Sequence, residues 1–206
     1  MIRKIHIVDY GLGNLFSVAS AIRRVGFEPV FAVTPDDFKV ADFLVLPGVG
    51  AFQKGMHSLQ SCGLIDGILS HAKQGKPLLG ICLGMQMLFE SSEENGFFEG
   101  LGLIPGHVKK IIDDNSELKV PHIGWSLLRS TNAILKPVLD QKFMYFVHSY
   151  HPVTDLNYCV AKTDYQGVDI TAMVNKDNIW GCQFHPEKSG EDGLNLLKTL
   201  TTVSHN

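Results

Sequence analysis

Two short runs, Phe43-Leu44-Val45-Leu46 and Leu78-Leu79-Gly80-Ile81, contain no polar side chain. A strand with no polar side has no face to offer water. Each run therefore predicts a strand buried on both faces, as in a parallel sheet packed between helices. The segments around them carry helical patterns. Leu15, Val18, Ala19 and Ile22 recur at helical spacing, Arg23 and Arg24 lie near the end, and Gly26 closes the pattern. Thr34-Pro35-Asp36-Asp37 offers a cap, a proline for the first turn and two acids where a helix begins. Further helical patterns run over 64–74 and 83–90, and β-rich runs over 5–9 and 28–33. Strand and helix alternating at this spacing predict βαβ units, an α/β fold with a mainly parallel central sheet flanked by helices.

The second half changes texture. Short apolar runs at 108–112, 145–147, 170–174 and 179–184 alternate with turn residues, which predicts short, partly antiparallel strands added to the same sheet. A final amphipathic helix is expected over 193–200. No linker, repeat or low-complexity stretch interrupts the 206 residues, so residues 1–206 are expected to form one domain. A net charge of -3 gives no basic field for nucleic acid. The weakly polar run 77–89 falls short of the ~20 residues of a bilayer span. Met1-Ile2-Arg3-Lys4 leads straight into a strand instead of a signal-peptide apolar region, so a soluble cytoplasmic protein without membrane contact is expected.

The chemistry concentrates at Gly80-Ile81-Cys82-Leu83-Gly84, a G-x-C-x-G between a predicted strand and a predicted helix. This is the cysteine counterpart of the nucleophile elbow, in which flanking glycines make room for a strained turn. A thiol there sits at a helix N-terminus, which favours thiolate, and the Leu83 amide can point at a developing oxyanion. The other cysteines (Cys62, Cys159 and Cys182) form no CxxC pair and read as inert thiols.

A thiolate nucleophile needs a histidine and an acid to orient it. His185 follows the apolar run 179–184, at the carboxyl end of a predicted strand, where parallel sheets place their sites. Glu187 lies two residues on, on the same side of an extended chain, with Pro186 stiffening the backbone between them. The glycine-rich loop Pro47-Gly48-Val49-Gly50-Ala51-Phe52 can supply a second oxyanion N–H at the same edge. Gly11-Leu12-Gly13-Asn14-Leu15 lacks the third glycine of a dinucleotide loop, because Phe16 stands there. No Walker sequence, H-E-x-x-H or paired acidic cluster is present, so neither cofactor nor metal is expected.

These blocks resemble the two signatures of class I (triad-type) glutamine amidotransferases, a flavodoxin-like fold, in G-I-C-L-G-M-Q around Cys82 and F-H-P-E-K-S around His185. V-D-Y-G-L-G-N-L (8–15), P-G-V-G-A-F (47–52), P-H-I-G-W (121–125) and F-V-H-S-Y (146–150) are similar, more narrowly, to the glutaminase subunits of imidazole glycerol phosphate synthases. The resemblance implies that Cys82 attacks the γ-amide of glutamine, His185 shuttles the proton and Glu187 orients His185. It implies oxyanion donors at Val49 and Leu83, the former in a switchable peptide held by the Pro121-His122 segment. Gly50, Gln86, Glu94, Ser149 and Tyr150 would hold the substrate. Asn14, Trp125, Tyr145 and Lys188 would face a TIM-barrel cyclase subunit. That partner would use the ammonia to convert a ribulosyl aminoimidazole carboxamide nucleotide (PRFAR) into imidazole glycerol phosphate and AICAR in histidine biosynthesis.

The departures from the family pattern are Ser126, where asparagine is common, and His151-Pro152. Four alternatives stand beside this reading, the first a stand-alone cysteine hydrolase, which strong activity without any partner would favour. The second is a sister glutaminase such as that of pyridoxal 5'-phosphate synthase. Another is a paralogue feeding a duplicated barrel in surface-sugar amination. The last is a non-catalytic flavodoxin-like binding module in which Cys82 is buried and inert.

Overall fold

The computed structural model describes residues 3–111, 118–130 and 132–203. The first half follows the predicted alternation. β1 (Lys4–Val8), α1 (Leu15–Arg24), β2 (Glu28–Ala32), α2 (Pro35–Lys39) and β3 (Leu44–Gly48) lead to α3 (Phe52–Ser61), α4 (Ile65–Lys73), β4 (Leu78–Cys82) and α5 (Leu83–Met87). The cap read at Thr34 is a capping box: the Asp37 carboxylate accepts from the Thr34 amide at 2.8 Å and from the Thr34 hydroxyl at 2.9 Å.

The second half contains β5 (Phe89–Ser92), β6 (Phe98–Glu99), β7 (Ile104–Lys110), β8 (His122–Ser130), α6 (Lys136–Leu139), β9 (Phe143–His148) and β10 (Tyr150–Val153). It ends with β11 (Cys159–Tyr165), β12 (Val168–Lys176), β13 (Ile179–Cys182), a 3-10 turn at Pro186–Lys188 and α7 (Gly190–Val203).

Among the described residues the strands form a nine-stranded sheet, ordered β2-β1-β3-β4-β13-β12-β11-β8-β9, and a four-stranded sheet, ordered β10-β7-β5-β6. The first five strands of the large sheet run parallel and the rest pair antiparallel. The two apolar runs are buried as their composition requires. Phe43, Val45, Leu79 and Ile81 enter the core under α1 and α7, while Leu44, Leu46 and Leu78 enter the opposite core under α2 to α5.

Several sequence expectations are corrected. The helix expected over 83–90 stops at Met87, because Phe89 pairs with Ile104 of β7 and the Glu90 carbonyl accepts from the Gly100 amide at 2.9 Å. β13 ends at Cys182 instead of 184, and the last helix begins at Gly190 and runs to Val203. The added strands do not all join one sheet: β5, β6, β7 and β10 make the second. The strand read at 108–112 is β7 from Ile104, and residue 112 lies outside the described residues. Two long strands, β8 and β11, and the helix α3 had no clear sequence signal. A glycine inside α3 argues against a helix, yet a Cβ on Gly55 would meet the Met87 sulfur at 2.7 Å, so close packing accounts for it. No helix among the described residues is long and apolar enough to cross a membrane.

Candidate active site

Three neighbouring parallel strands end at one edge of the large sheet. In register, Gly48 of β3 lies beside Cys82 of β4, and Ile81 of β4 beside Cys182 of β13. The chain leaving β3 carries Val49 and Gly50, β4 ends on Cys82, and the chain leaving β13 reaches His185 three residues later. Parallel pairing thus brings residues about a hundred positions apart in sequence to one place, the carboxyl edge where such sheets bind ligands.

Cys82 has φ 55° and ψ -111°, a backbone conformation that side-chain-bearing residues rarely adopt. The turn is held from below. A Cβ on Gly84 would overlap the Leu46 carbonyl oxygen, so only glycine lets α5 start this close to β3. α5 has only five residues, so the local N–H groups at its start, Leu83 among them, replace the long helix expected behind the sulfur.

His185 Nδ1 and Glu187 Oε1 are 2.7 Å apart, with side chains 2% and 1% exposed. Burial disfavours the imidazolium, but the Cys82 sulfur and the Glu187 carboxylate outweigh burial and raise His185 to about 9. With its charged form favoured by both neighbours, His185 can serve as the acid of the site. The other ring nitrogen, Nε2, has no partner of ordinary hydrogen-bond geometry among the described residues.

A cleft of about 370 Å³ opens beside the sulfur. Its walls include Val49, Gly50, Cys82, Leu83, Gln86, Glu94, Ser149, Tyr150 and His185. Every residue predicted for nucleophile, oxyanion or substrate therefore meets here, with Glu187 behind His185. A larger hollow of about 740 Å³, bounded by α3, α4 and β6, contains none of them. The Glu94 carboxylate accepts from the Phe52 amide at 2.7 Å, where α3 begins. Among the described residues no group of three or more His, Cys, Asp or Glu is placed to hold a metal ion.

The four residues expected at a partner surface separate into a cluster and an outlier. The Trp125 and Tyr145 rings meet edge-on at 6.0 Å, and the Lys188 ammonium lies 6.0 Å from the centre of the Tyr145 ring. Trp125 is 54% exposed although it sits mid-strand. Asn14 instead caps α1, its side-chain oxygen accepting from the Ser17 amide at 3.4 Å, and α1 packs on the 3-10 turn that carries Lys188.

Residues 6–200 match the family model for glutamine amidotransferase class-I. The chain belongs to the class I glutamine amidotransferases. Among curated members of this family, imidazole glycerol phosphate synthase subunit HisH of Geobacillus sp. (strain WCH70) is 45% identical over 204 residues, covering 97% of this chain and 96% of that protein. The subunit of the same name from Methanothermobacter thermautotrophicus is 45% identical over 200 residues, covering 97% and 98%. Among solved structures, one described as glutamine amidotransferase aligns with TM-score 0.77 at 16% identity, over 98% of this chain and 99% of that one. PurLQS from Thermotoga maritima aligns with TM-score 0.73 at 20% identity over the same shares. At such identities these two share the fold.

Three residues of this amidotransferase site carried no role in the sequence reading. Gln183, fully buried, accepts from Gln86 Nε2 at 3.0 Å and directs its own Nε2 at the Cys82 sulfur, 3.8 Å away. Because Gln86 donates to its oxygen, the amide of Gln183 has only one orientation, with an N–H toward the sulfur. Its place in the Q-F-H-P-E block was the available signal. Tyr10, in the first glycine-bearing loop, donates to the Pro47 carbonyl at 2.8 Å and steadies the chain just before Val49. Burial, then the nearby Cys82 sulfur, pushes the Tyr10 phenol above its ordinary range. His148 lines the cleft from β9. Cys182, one strand over from Cys82, is fully buried, and burial pushes its thiol up, which keeps it unreactive.

Proposed function

We propose that residues 1–206 act as one glutaminase unit that hydrolyses glutamine to glutamate and ammonia and passes the ammonia to a TIM-barrel cyclase subunit. That partner would make imidazole glycerol phosphate and AICAR from PRFAR. The observation that carries the reading is the buried pair His185–Glu187, 2.7 Å apart, at the edge where Cys82 sits on its strained turn. The kinship with HisH subunits favours this client over other amidotransferase partners. The proposed setting is the cytoplasm.

The residues then divide the work. The Cys82 thiolate attacks the γ-carbonyl carbon, and the new oxyanion accepts from the Leu83 amide and the amide of Val49. His185, protonated at neutral pH, gives the Nε2 proton to the departing nitrogen, and ammonia leaves behind a γ-glutamyl thioester. Neutral His185 next takes a proton from water as it attacks the thioester. The Cys82 thiolate and glutamate separate and the imidazolium is restored. Glu187 keeps Nδ1 protonated and the ring oriented throughout. Acid–base help of this kind contributes about 10²–10⁴-fold. One oxyanion donor contributes about 10²–10³ in turnover, so the peptide before Val49 is where a partner could switch the reaction on.

The test is glutamate release from glutamine, by the chain alone and then with the histidine-pathway barrel subunit of the same genome and its acceptor nucleotide. Strong release only in the mixture, abolished by Cys82→Ala, is the expected result. Cys82-dependent release that ignores this barrel would move the client elsewhere. No release with an unreactive Cys82 would remove the reading.

A further inference from the structure

Beside the triad runs a line of hydrogen bonds through two buried histidines. His122 of β8 and His148 of β9 are cross-strand neighbours, with His122 Nδ1 and His148 Nε2 3.0 Å apart. Beyond His148, its Nδ1 lies 2.9 Å from the Tyr150 carbonyl; beyond His122, its Nε2 lies 2.8 Å from the Ser126 hydroxyl. His122 is also stacked between Tyr165, centroids 4.0 Å apart, and Phe146, at 4.7 Å.

Chemistry fixes the direction of this line. A carbonyl only accepts, so His148 Nδ1 must carry a hydrogen. With both rings neutral, His148 Nε2 is then bare and must accept from His122 Nδ1. His122 Nε2 is bare in turn and accepts from the Ser126 hydroxyl. Burial holds both rings neutral, taking His122 down to about 4 and His148 to about 3. One protonation pattern therefore satisfies every member of the line.

The His pair borders the cleft through His148 and through the residue next to His122. Pro121, which precedes His122, lines one wall, and His148, Ser149 and Tyr150 line another. The Tyr150 carbonyl also accepts from Gln86 Nε2 at 2.8 Å. We propose that Ser126 and His122 are positioning residues: through His148 they hold the Tyr150 carbonyl and Gln86 in place, and so set how tightly glutamine is bound without touching it. This rests on the glutaminase reading. Ser126 lies on the same face of β8 as His122, opposite to that of the exposed Trp125, so the line runs along the inner face of β8 to the substrate wall.

The test measures KM and kcat for glutamine separately, with the partner present, in Ser126→Ala, Ser126→Thr and His122→Phe. Ser126→Ala removes the terminal donor. His122→Phe keeps an aromatic ring between Phe146 and Tyr165 but breaks both bonds. Losing a neutral hydrogen bond in such a line is expected to raise KM roughly three- to tenfold with kcat within about twofold. His122→Phe should show the larger rise, and Ser126→Thr, which keeps the hydroxyl, should restore the original KM. A KM unchanged in both Ser126→Ala and folded His122→Phe would overturn the proposal, as would a loss confined to kcat. Nitrogen-15 NMR of the intact chain gives an independent readout: both rings should carry their hydrogen on Nδ1, and an Nε2–H signal from either would also overturn it. Absence of Cys82-dependent release in the unmodified complex would sink the glutaminase reading instead, and the NMR pattern would still decide whether the line exists.

Discussion

The amide of His185 donates to the carbonyl of Tyr145 at 2.9 Å, so the imidazole of the site hangs from the strand that carries the exposed aromatic cluster. Ser189 completes the tie: its hydroxyl accepts from the Tyr145 amide at 3.0 Å and donates to the His185 carbonyl at 2.7 Å. Ser189 is 2% exposed, so Ser189→Ala strands buried polar groups. The expected cost is about 1–3 kcal/mol of stability, from the desolvated partners it leaves behind. A misplaced imidazole should also slow glutamate release by about tenfold. Urea unfolding and a partner-stimulated assay read the two effects separately.

Trp125 lies on the open side of β8 with Tyr145 and Lys188 beside it. Trp125→Ala is expected to leave the isolated chain within about 0.5 kcal/mol of its original stability, as for an exposed residue. If the proposed barrel subunit docks on this cluster, its binding should weaken by tenfold or more, because large aromatics dominate such interfaces at about 2 kcal/mol or above. Calorimetric titration of the barrel into each form measures this directly. Unchanged affinity would take Trp125 out of the interface.

Stability should pass through a maximum near pH 6.5. His122, His148 and His151 are held neutral by burial, at about 4, about 3 and about 4. Their folded values lie below the unfolded 6.5, so the stability they contribute is complete above pH 6.5 and is lost as pH falls toward 4 and 3. Each can cost up to about 1.4 kcal/mol per pH unit in that window. His185 has the opposite sign. Held at about 9, it contributes fully below 6.5 and loses that contribution as pH rises through 9. Urea midpoints from pH 4 to 9.5 should fall on both sides, and His185→Gln should flatten the alkaline side alone.

Gly84→Ala tests the elbow itself. The added methyl would overlap the Leu46 carbonyl oxygen, so either β3 or the start of α5 must move. Overpacking against backbone is expected to cost about 3 kcal/mol or more. Cys82 alkylation by iodoacetamide should slow as well, since the strained turn that presents the sulfur relaxes. A Gly84→Ala protein with the original melting temperature and the original alkylation rate would contradict the packing described.

The local chemistry was written in the sequence because each part depends on residues close in the chain. Apolar runs 43–46 and 78–81 can only be doubly buried strands, and the glycines around Cys82 and the His-Pro-Glu order are readable as they stand. The pattern failed where apolar side chains face outward. β8 buries His122 and exposes Ile123 and Trp125, the reverse of an ordinary alternation, so its length was not legible. The helix after Cys82 looked longer than it is, since pairing of Phe89 with Ile104 competes for the same backbone. Only the tertiary structure could decide that Gln183 meets Cys82, that His122 meets His148 in a single protonation pattern, and that the added strands divide between two sheets. Those outcomes come from pairings between distant segments, whose energies are gained only once the whole sheet has assembled and leave no local periodicity to read.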